Sequence, residues 1–142
     1  MTGHAPAADR DLAKWAGISL RDARLGLARC GAVQRADGLA ELPGSRHAPA
    51  PALPPPRLLG AFDPLLLGWA SRDPVTGPHQ RIVTVNGLFR PFALTGGRAV
   101  ATWTVPGGRV ALTPFAALDA ATQTALDAEA ADVTRFLGVS RG

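Results

Sequence analysis

Apolar positions recur at helical spacing in two stretches near the start of the chain. Over Asp9–Ala16, Leu12, Ala13 and Trp15 sit among charged residues, which predicts a short helix. Gly17 breaks it. Ser19, with Asp22 three residues on, offers an S-x-x-D cap for a second helix running to about Cys30. Leu20, Ala23 and Leu27 share one side of that helix, and Gly31 ends it. Ala32–Arg35 and Leu39–Leu42 then flank Asp37-Gly38, the pattern of a tight hairpin. Met1–Ala8 is small and polar and is expected to fray.

The pattern then changes character. Pro43–Arg57 holds six prolines, including Pro54-Pro55-Pro56, and can form neither a helix nor an inner strand. It reads as a linker, partly in extended polyproline geometry. Leu58–Trp69 is an apolar patch interrupted by Asp63-Pro64, with room for a single helical turn. Four short strand-like runs follow: Arg81–Val85, Phe89–Leu94, Ala99–Val105 and Val110–Pro114. Asn86-Gly87, Gly96-Gly97 and Gly107-Gly108 separate them, which describes a meander or small barrel. Asp119 can cap a last helix ending near Gly138, with Leu118, Ala121, Ala125, Ala130, Val133 and Leu137 as its inner stripe. Asp127, Glu129 and Asp132 are expected to face water. The predicted fold is α+β. Residues 1–42 form a partial winged helix, 43–57 a proline-rich linker, and 58–142 a small antiparallel β-barrel or meander with a C-terminal helix.

Composition narrows the function classes. The formal charge is +4, and fourteen of the fifteen basic residues are arginine. A GC-rich genome and a phosphate-binding surface would each enrich arginine, and composition leaves both open. The charge is uneven: residues 1–118 carry 13 basic against 7 acidic groups, and 119–142 carry 2 against 4. The basic surface therefore lies upstream of the last helix. Cys30 is the single cysteine, so no internal disulfide forms. No apolar run reaches membrane-spanning length and no signal-peptide core is visible, so the expected location is the cytoplasm.

Ala13, Gly17, Ile18 and Ala23 fall where a helix-turn-helix needs a small contact residue, a left-handed glycine, an apolar plug and a second small contact. The second helix then presents Arg21, Arg24 and Arg29, with the Asp37-Gly38 hairpin as a wing. In such modules that helix enters the major groove. A helical hairpin used only for packing has the same pattern, and with eight residues before the pair the module is expected to be a partial winged helix. Arg72, Arg81, Arg90, Arg98 and Arg109 could line one basic face of a barrel, although each singly reads as a solvated strand end. The glycine pairs lack the Lys-Ser/Thr ending of a phosphate loop. His4, His47 and His79 lack ligand spacing, so no metal and no cofactor are expected. Cys30 reads as a packing residue on the apolar side of its helix, and Asp63 as a turn cap rather than a catalytic acid.

A further series runs from Phe62-Asp63 through Leu66-Leu67-Gly68 to Arg72, then Asn86-Gly87, Phe89, Pro91, Leu94, Gly97-Arg98 and Thr102-Trp103. It closes with Pro114-Phe115 and Arg135-Phe136-Leu137-Gly138. This series is similar to the C-terminal part of the bacterial winged-helix DNA-binding family that includes the interstrand-crosslink-repair DNA glycosylases. Asp11-Leu12-Ala13, Trp15-Ala16-Gly17 and Leu20-Arg21-Asp22-Ala23-Arg24 resemble that family's last winged helix. The resemblance implies longer chains with tandem winged helices and a β-barrel around DNA. It also implies a Gln-x-Gln or Gln-x-Asp catalytic motif in the N-terminal portion. Here Gln34, Gln80 and Gln123 each lack Gln or Asp two residues on, so no catalytic residue carries over.

The expected function is non-catalytic DNA binding through arginine–phosphate contacts. Arg21, Arg24 and Arg29 lead, followed by Arg72 and Arg81. The alternatives are a residual or split DNA glycosylase, completed by a separately encoded N-terminal half, and an inert gene remnant. DNA is the expected partner, with no membrane involvement.

Overall fold

A computed structural model describes residues 5–45, 53–78, 82–84 and 86–138. The chain forms two compact units: a helical unit, Met1–Pro51 with Pro64–Arg72, and a sheet unit, Ala52–Asp63 with Asp73–Gly142.

In the helical unit, α1 spans Asp9–Ala16 and α2 spans Leu20–Arg29. Gly17 joins them in the left-handed region (φ 64°), which explains the glycine: a Cβ there would meet nothing within 4 Å, so backbone conformation and not space excludes other residues. Ser19 caps α2 as expected, its Oγ accepting the Asp22 amide at 3.1 Å, while its hydroxyl donates to Asp22 Oδ2 at 2.8 Å. Ala23 and Leu27 are buried and Leu20 half-buried, the predicted inner side of α2. Strands β1 (Val33–Gln34) and β2 (Ala40–Glu41) form the predicted hairpin. Its turn is wider than a two-residue loop. The Arg35 amide donates to Leu39 O at 2.7 Å and the Gly38 amide to Arg35 O at 3.0 Å, so Ala36-Asp37-Gly38 make a three-residue turn with left-handed Gly38 (φ 81°) last.

Two expectations for this region are corrected. Ala7 is not frayed: it is 2% exposed, and it exchanges amide hydrogen bonds with Ala40 at 3.0 and 2.8 Å, which adds an isolated bridge to the hairpin. Cys30 is exposed, its thiol donating to Leu27 O at 3.3 Å. The helix ends before Cys30 can turn inward.

The sheet unit holds β3 (Arg57–Leu59), β4 (Phe92–Thr95), β5 (Arg98–Thr104) and β6 (Ala111–Pro114) in one antiparallel sheet of that order. Single helical turns α3 (Pro64–Leu67) and α4 (Asp73–Thr76) belong to the helical and sheet units respectively. Helix α5 spans Ala120–Phe136, with the Asp119 carboxylate accepting the Thr122 amide at 2.8 Å as its cap. The meander is present, but the barrel is not: among the described residues the sheet is open, with β3 and β6 as its edges. Four short strands cannot curl far enough to meet.

The first strand also comes from elsewhere. Arg57–Leu59, at the end of the proline run, pairs with β4 through Leu58↔Ala93. The expected strand at 81–85 contributes one isolated bridge, Val83↔Phe89; Arg81 and Val85 lie outside the described residues. A three-residue edge strand carries too little periodicity to be read from sequence.

One row of the sheet explains how α5 docks. Leu58, Ala93 and Ala101 are cross-strand neighbours, and they form a buried cluster with Leu126 of α5. The two alanines leave room for Leu126, which is 0% exposed. The predicted stripe omits Leu126, whereas it includes Ala121 and Leu137, which are exposed; Ala130 and Val133 pack inward as expected. Glu129 does not face water. Its carboxylate pairs with Arg57 at 3.1 Å and accepts the Leu58 amide at 3.4 Å, which fastens β3 to α5. Trp103 Nε1 donates to Leu59 O at 2.9 Å, so its indole enters the same core with its donor satisfied.

Candidate nucleic-acid interface

At 3.6 residues per turn, burial of Leu20, Ala23 and Leu27 turns the opposite side of α2 outward. Arg21, Leu25 and Arg29 follow one another at four-residue steps on that outward side, and all three are exposed. Leu25 is 47% exposed, an apolar position set between two guanidinium groups. Among the described residues neither Arg21 nor Arg29 has an acidic partner within ion-pair distance. Asp22 is turned toward Ser19 as the cap partner.

Arg24 is placed differently. It lies one turn after Arg21 on the flank of α2 nearer α1, and its Nε contacts Asp9 Oδ2 at 2.6 Å. The Arg24 hydrogen bond holds the Asp9 carboxyl below its ordinary range, against a small opposing effect of burial. Asp9 sits in the first turn of α1, so the pair also ties the two helices together. Sequence spacing groups Arg24 with Arg21 and Arg29; the fold gives it a carboxylate.

Lys14 of α1 and Arg72 belong to the same unit. The Asp11 carboxylate accepts the Ala8 amide at 2.8 Å with one oxygen and the Ala70 amide at 2.7 Å with the other. This fixes the 64–72 segment of the helical unit against α1. Arg72 is half-buried, its Nε donating to Leu66 O at 2.9 Å. Desolvation, then the Arg72 charge, lowers the Lys14 pKa, with Asp11 opposing. Lys14 is the only lysine of the chain, and a reading centred on arginines passes over it.

The remaining arginines are not gathered. Arg90, Arg98 and Arg109 are exposed, but Arg98 opens β5 and Arg109 follows the helical turn Pro106–Gly108 beyond its far end. A seven-residue strand separates them by about 20 Å. Arg81 lies outside the described residues, as do His4, His47 and His79. Asp63 immediately precedes α3, at the turn position expected for it. Among the described residues no three His, Cys, Asp or Glu side chains come together as a metal site, and no helix is long and apolar enough to cross a membrane.

The chain was compared with known proteins. The sequence model of the family described as "DNA glycosylase AlkZ-like" matches residues 1–136. The interstrand DNA cross-link repair glycosylase of Streptomyces sahachiroi is 36% identical over 88 residues, which are 60% of this chain and 24% of that protein. The solved structure of Streptomyces sahachiroi DNA glycosylase AlkZ superposes with a TM-score of 0.73 at 27% identity, covering 96% of this chain and 40% of that one. The chain thus spans about a quarter of the length of the first relative and two fifths of the second. With the match running from the first residue to the end of α5, the chain belongs to the AlkZ-like DNA glycosylase family.

Proposed function

We propose that this chain binds duplex DNA through the outward side of α2, with Arg21 and Arg29 on backbone phosphates and Leu25 between them. The supporting observation is the outward side itself: two arginines without acidic partners among the described residues, on the second helix of a helix–glycine–helix pair followed by a hairpin. In a winged-helix reading this is the recognition helix and the hairpin is the wing. Phosphate contacts supply affinity and register and little base readout. Arg24 contributes less, because contacting a phosphate requires leaving Asp9. Arg72 and Arg81 are secondary contacts. Excision chemistry is not assigned to this chain, since Gln34, Gln80 and Gln123 do not form the motif that the family resemblance implies.

A fluorescence-anisotropy titration of a labelled duplex over a salt series tests this. Affinity falls steeply with salt, and Arg21→Ala with Arg29→Ala flattens the log–log slope by about 2, roughly one unit for each phosphate no longer neutralised. A folded wild-type protein that binds no duplex at low salt overturns the reading.

A second reading rests on coverage. This chain matches 40% of the solved relative while 96% of its own length is used, so it corresponds to one part of a glycosylase architecture. In that reading the excision chemistry belongs to a separately supplied N-terminal half. Adding that half would raise duplex affinity and confer base release, and neither protein alone would release a base.

A further inference from the structure

Five acidic residues lie among the described residues of the helical unit, and four of them meet a cation or backbone amides. Asp9 pairs with Arg24 at 2.6 Å, Asp11 accepts the Ala8 and Ala70 amides, and Asp37 and Glu41 meet Arg35 at 2.9 and 3.6 Å. Asp22 differs. Its Oδ2 accepts the Ser19 hydroxyl at 2.8 Å, and among the described residues its Oδ1 has no hydrogen-bond or ion-pair partner. Asp11 and Asp22 each stand three residues after an N-cap. In α1 the Asp11 carboxylate accepts the N-cap amide, the usual reason for an acid there. In α2 Asp22 accepts only the hydroxyl, while its own amide donates to Ser19 Oγ at 3.1 Å. Both contacts fix the direction of Asp22 and leave one oxygen open. Asp22 is exposed, and Leu25 and Arg29 follow it at three- and seven-residue steps, so it borders the outward side of α2. A carboxylate there meets the most anionic of partners. Phosphates repel it, and a groove strips its water unless a donor takes the place of that water. In winged-helix modules the N-terminal residues of this helix contact base edges in the major groove. The donors on those edges are the amines of cytosine and adenine. The adenine amine lies between two acceptors, its own N7 and thymine O4, whereas the cytosine amine has guanine O6 on one side only.

We infer that Asp22 is the base-reading residue of α2, its Oδ1 accepting the N4 amine of one cytosine in the major groove while Arg21 and Arg29 hold phosphates. The substrate class is duplex DNA with cytosine at that one position. The inference rests on the proposed DNA-binding function and deepens it, because the small base readout of α2 then belongs to one side chain.

The test is a selection from a duplex pool with a randomised centre, followed by anisotropy titrations of one enriched duplex and of the same duplex with its cytosine pair changed to a thymine pair. Thymine places O4, an acceptor, where cytosine has its amine. Expected is enrichment of cytosine at one position and a loss of affinity of at least about fivefold on the change. Asp22→Asn carries both a donor and an acceptor, so it binds the two duplexes alike. Arg21→Ala with Arg29→Ala weakens both duplexes by the same factor and leaves their ratio in place. Should Asp22→Asn fail to fold by circular dichroism, the wild-type protein decides the matter with a pyrimidinone analogue that lacks only the N4 amine, which weakens binding as thymine does. Salt-sensitive binding without a cytosine preference, or a preference that survives in Asp22→Asn, overturns the inference and leaves the α2 reading standing. Equal tightening of every duplex in Asp22→Asn marks a carboxylate that only repels and also overturns it. A folded protein that binds no duplex removes both.

Discussion

Among the described residues of the helical unit the buried apolar positions are Ala7, Ala23, Leu27, Ala40 and Leu66, three of them alanine. In the sheet unit they include Leu58, Ile82, Phe92 and Leu126, with Ala93 and Ala101 where α5 approaches the sheet. Burial of apolar area stabilises in proportion to its size, so alanine contributes far less than leucine or phenylalanine. The helical unit compensates with short-range polar devices: the Ser19 cap, the Asp9–Arg24 pair, the Asp11 carboxylate on two amides, and Arg35 paired with Asp37 at 2.9 Å and Glu41 at 3.6 Å. Both units leave large apolar side chains exposed: Trp15, Ile18, Leu25 and Val33 in this one, and Phe62, Leu88 and Phe136 in the sheet unit. The difference is a division of labour. The larger buried side chains concentrate in the sheet unit, and the surface proposed to meet DNA lies in the unit with the thinner core.

Four changes would break or sharpen that contrast. Leu126→Ala has the largest expected effect. It removes a fully buried side chain from the centre of the sheet unit and costs about 3 kcal/mol, read as a drop in the urea midpoint. Duplex affinity of the protein that remains folded should be unchanged. Ala23→Leu is next. A larger side chain at a position 0% exposed between α1 and α2 forces the helices apart for about 2 kcal/mol. Unlike the first variant it should weaken duplex binding, because it displaces the helix that carries Arg21 and Arg29. Equal binding losses from both variants would erase the contrast.

Ser19→Ala removes the cap of α2 and is expected to cost about 1 kcal/mol, measured by thermal melting, with local amide exchange rising first in α2. The smallest effect is that of Asp9. Its folded pKa lies below its ordinary value, so the pair with Arg24 stabilises above the unfolded pKa of about 3.8 and loses that contribution as pH falls through the lower folded value. The pair is partly exposed, so the change stays under about 1 kcal/mol. Asp9→Asn should remove this acid-side dependence. It also frees Arg24 and should tighten duplex binding slightly at low salt. Weaker binding would show that the pair positions α2 rather than competing for Arg24.

Much of the helical unit was legible from local rules. Gly17, Ser19, Asp37-Gly38 and the Leu20–Ala23–Leu27 side each act within a few residues, where sequence spacing and backbone geometry coincide. The sheet unit was harder. Its first strand is three residues at the end of a proline run and forms because β4 offers Ala93 opposite Leu58. Glu129 reads as a solvated helix residue until β3 supplies Arg57 and the Leu58 amide, from residues 72 and 71 positions away. The candidate interface divides in the same way. Arg21 and Arg29 were visible as a helical spacing, whereas the pairing of Arg24 with Asp9, 15 residues earlier on α1, was not.

By itself the sequence determined α1, α2, α5 and the strands after Phe89, the caps of α2 and α5, the left-handed Gly17, the basic bias upstream of α5 and the family. Each of these depends on neighbouring residues or on a motif read in order. Only the tertiary structure decided that the sheet of the described residues stays open, that Arg57–Leu59 becomes its edge, and that Arg24 is paired with Asp9 while Arg21 and Arg29 face outward. Those outcomes depend on which distant groups come within reach, and electrostatic and packing energies fall off over a few ångströms. Sequence order carries no such distance until the chain has folded.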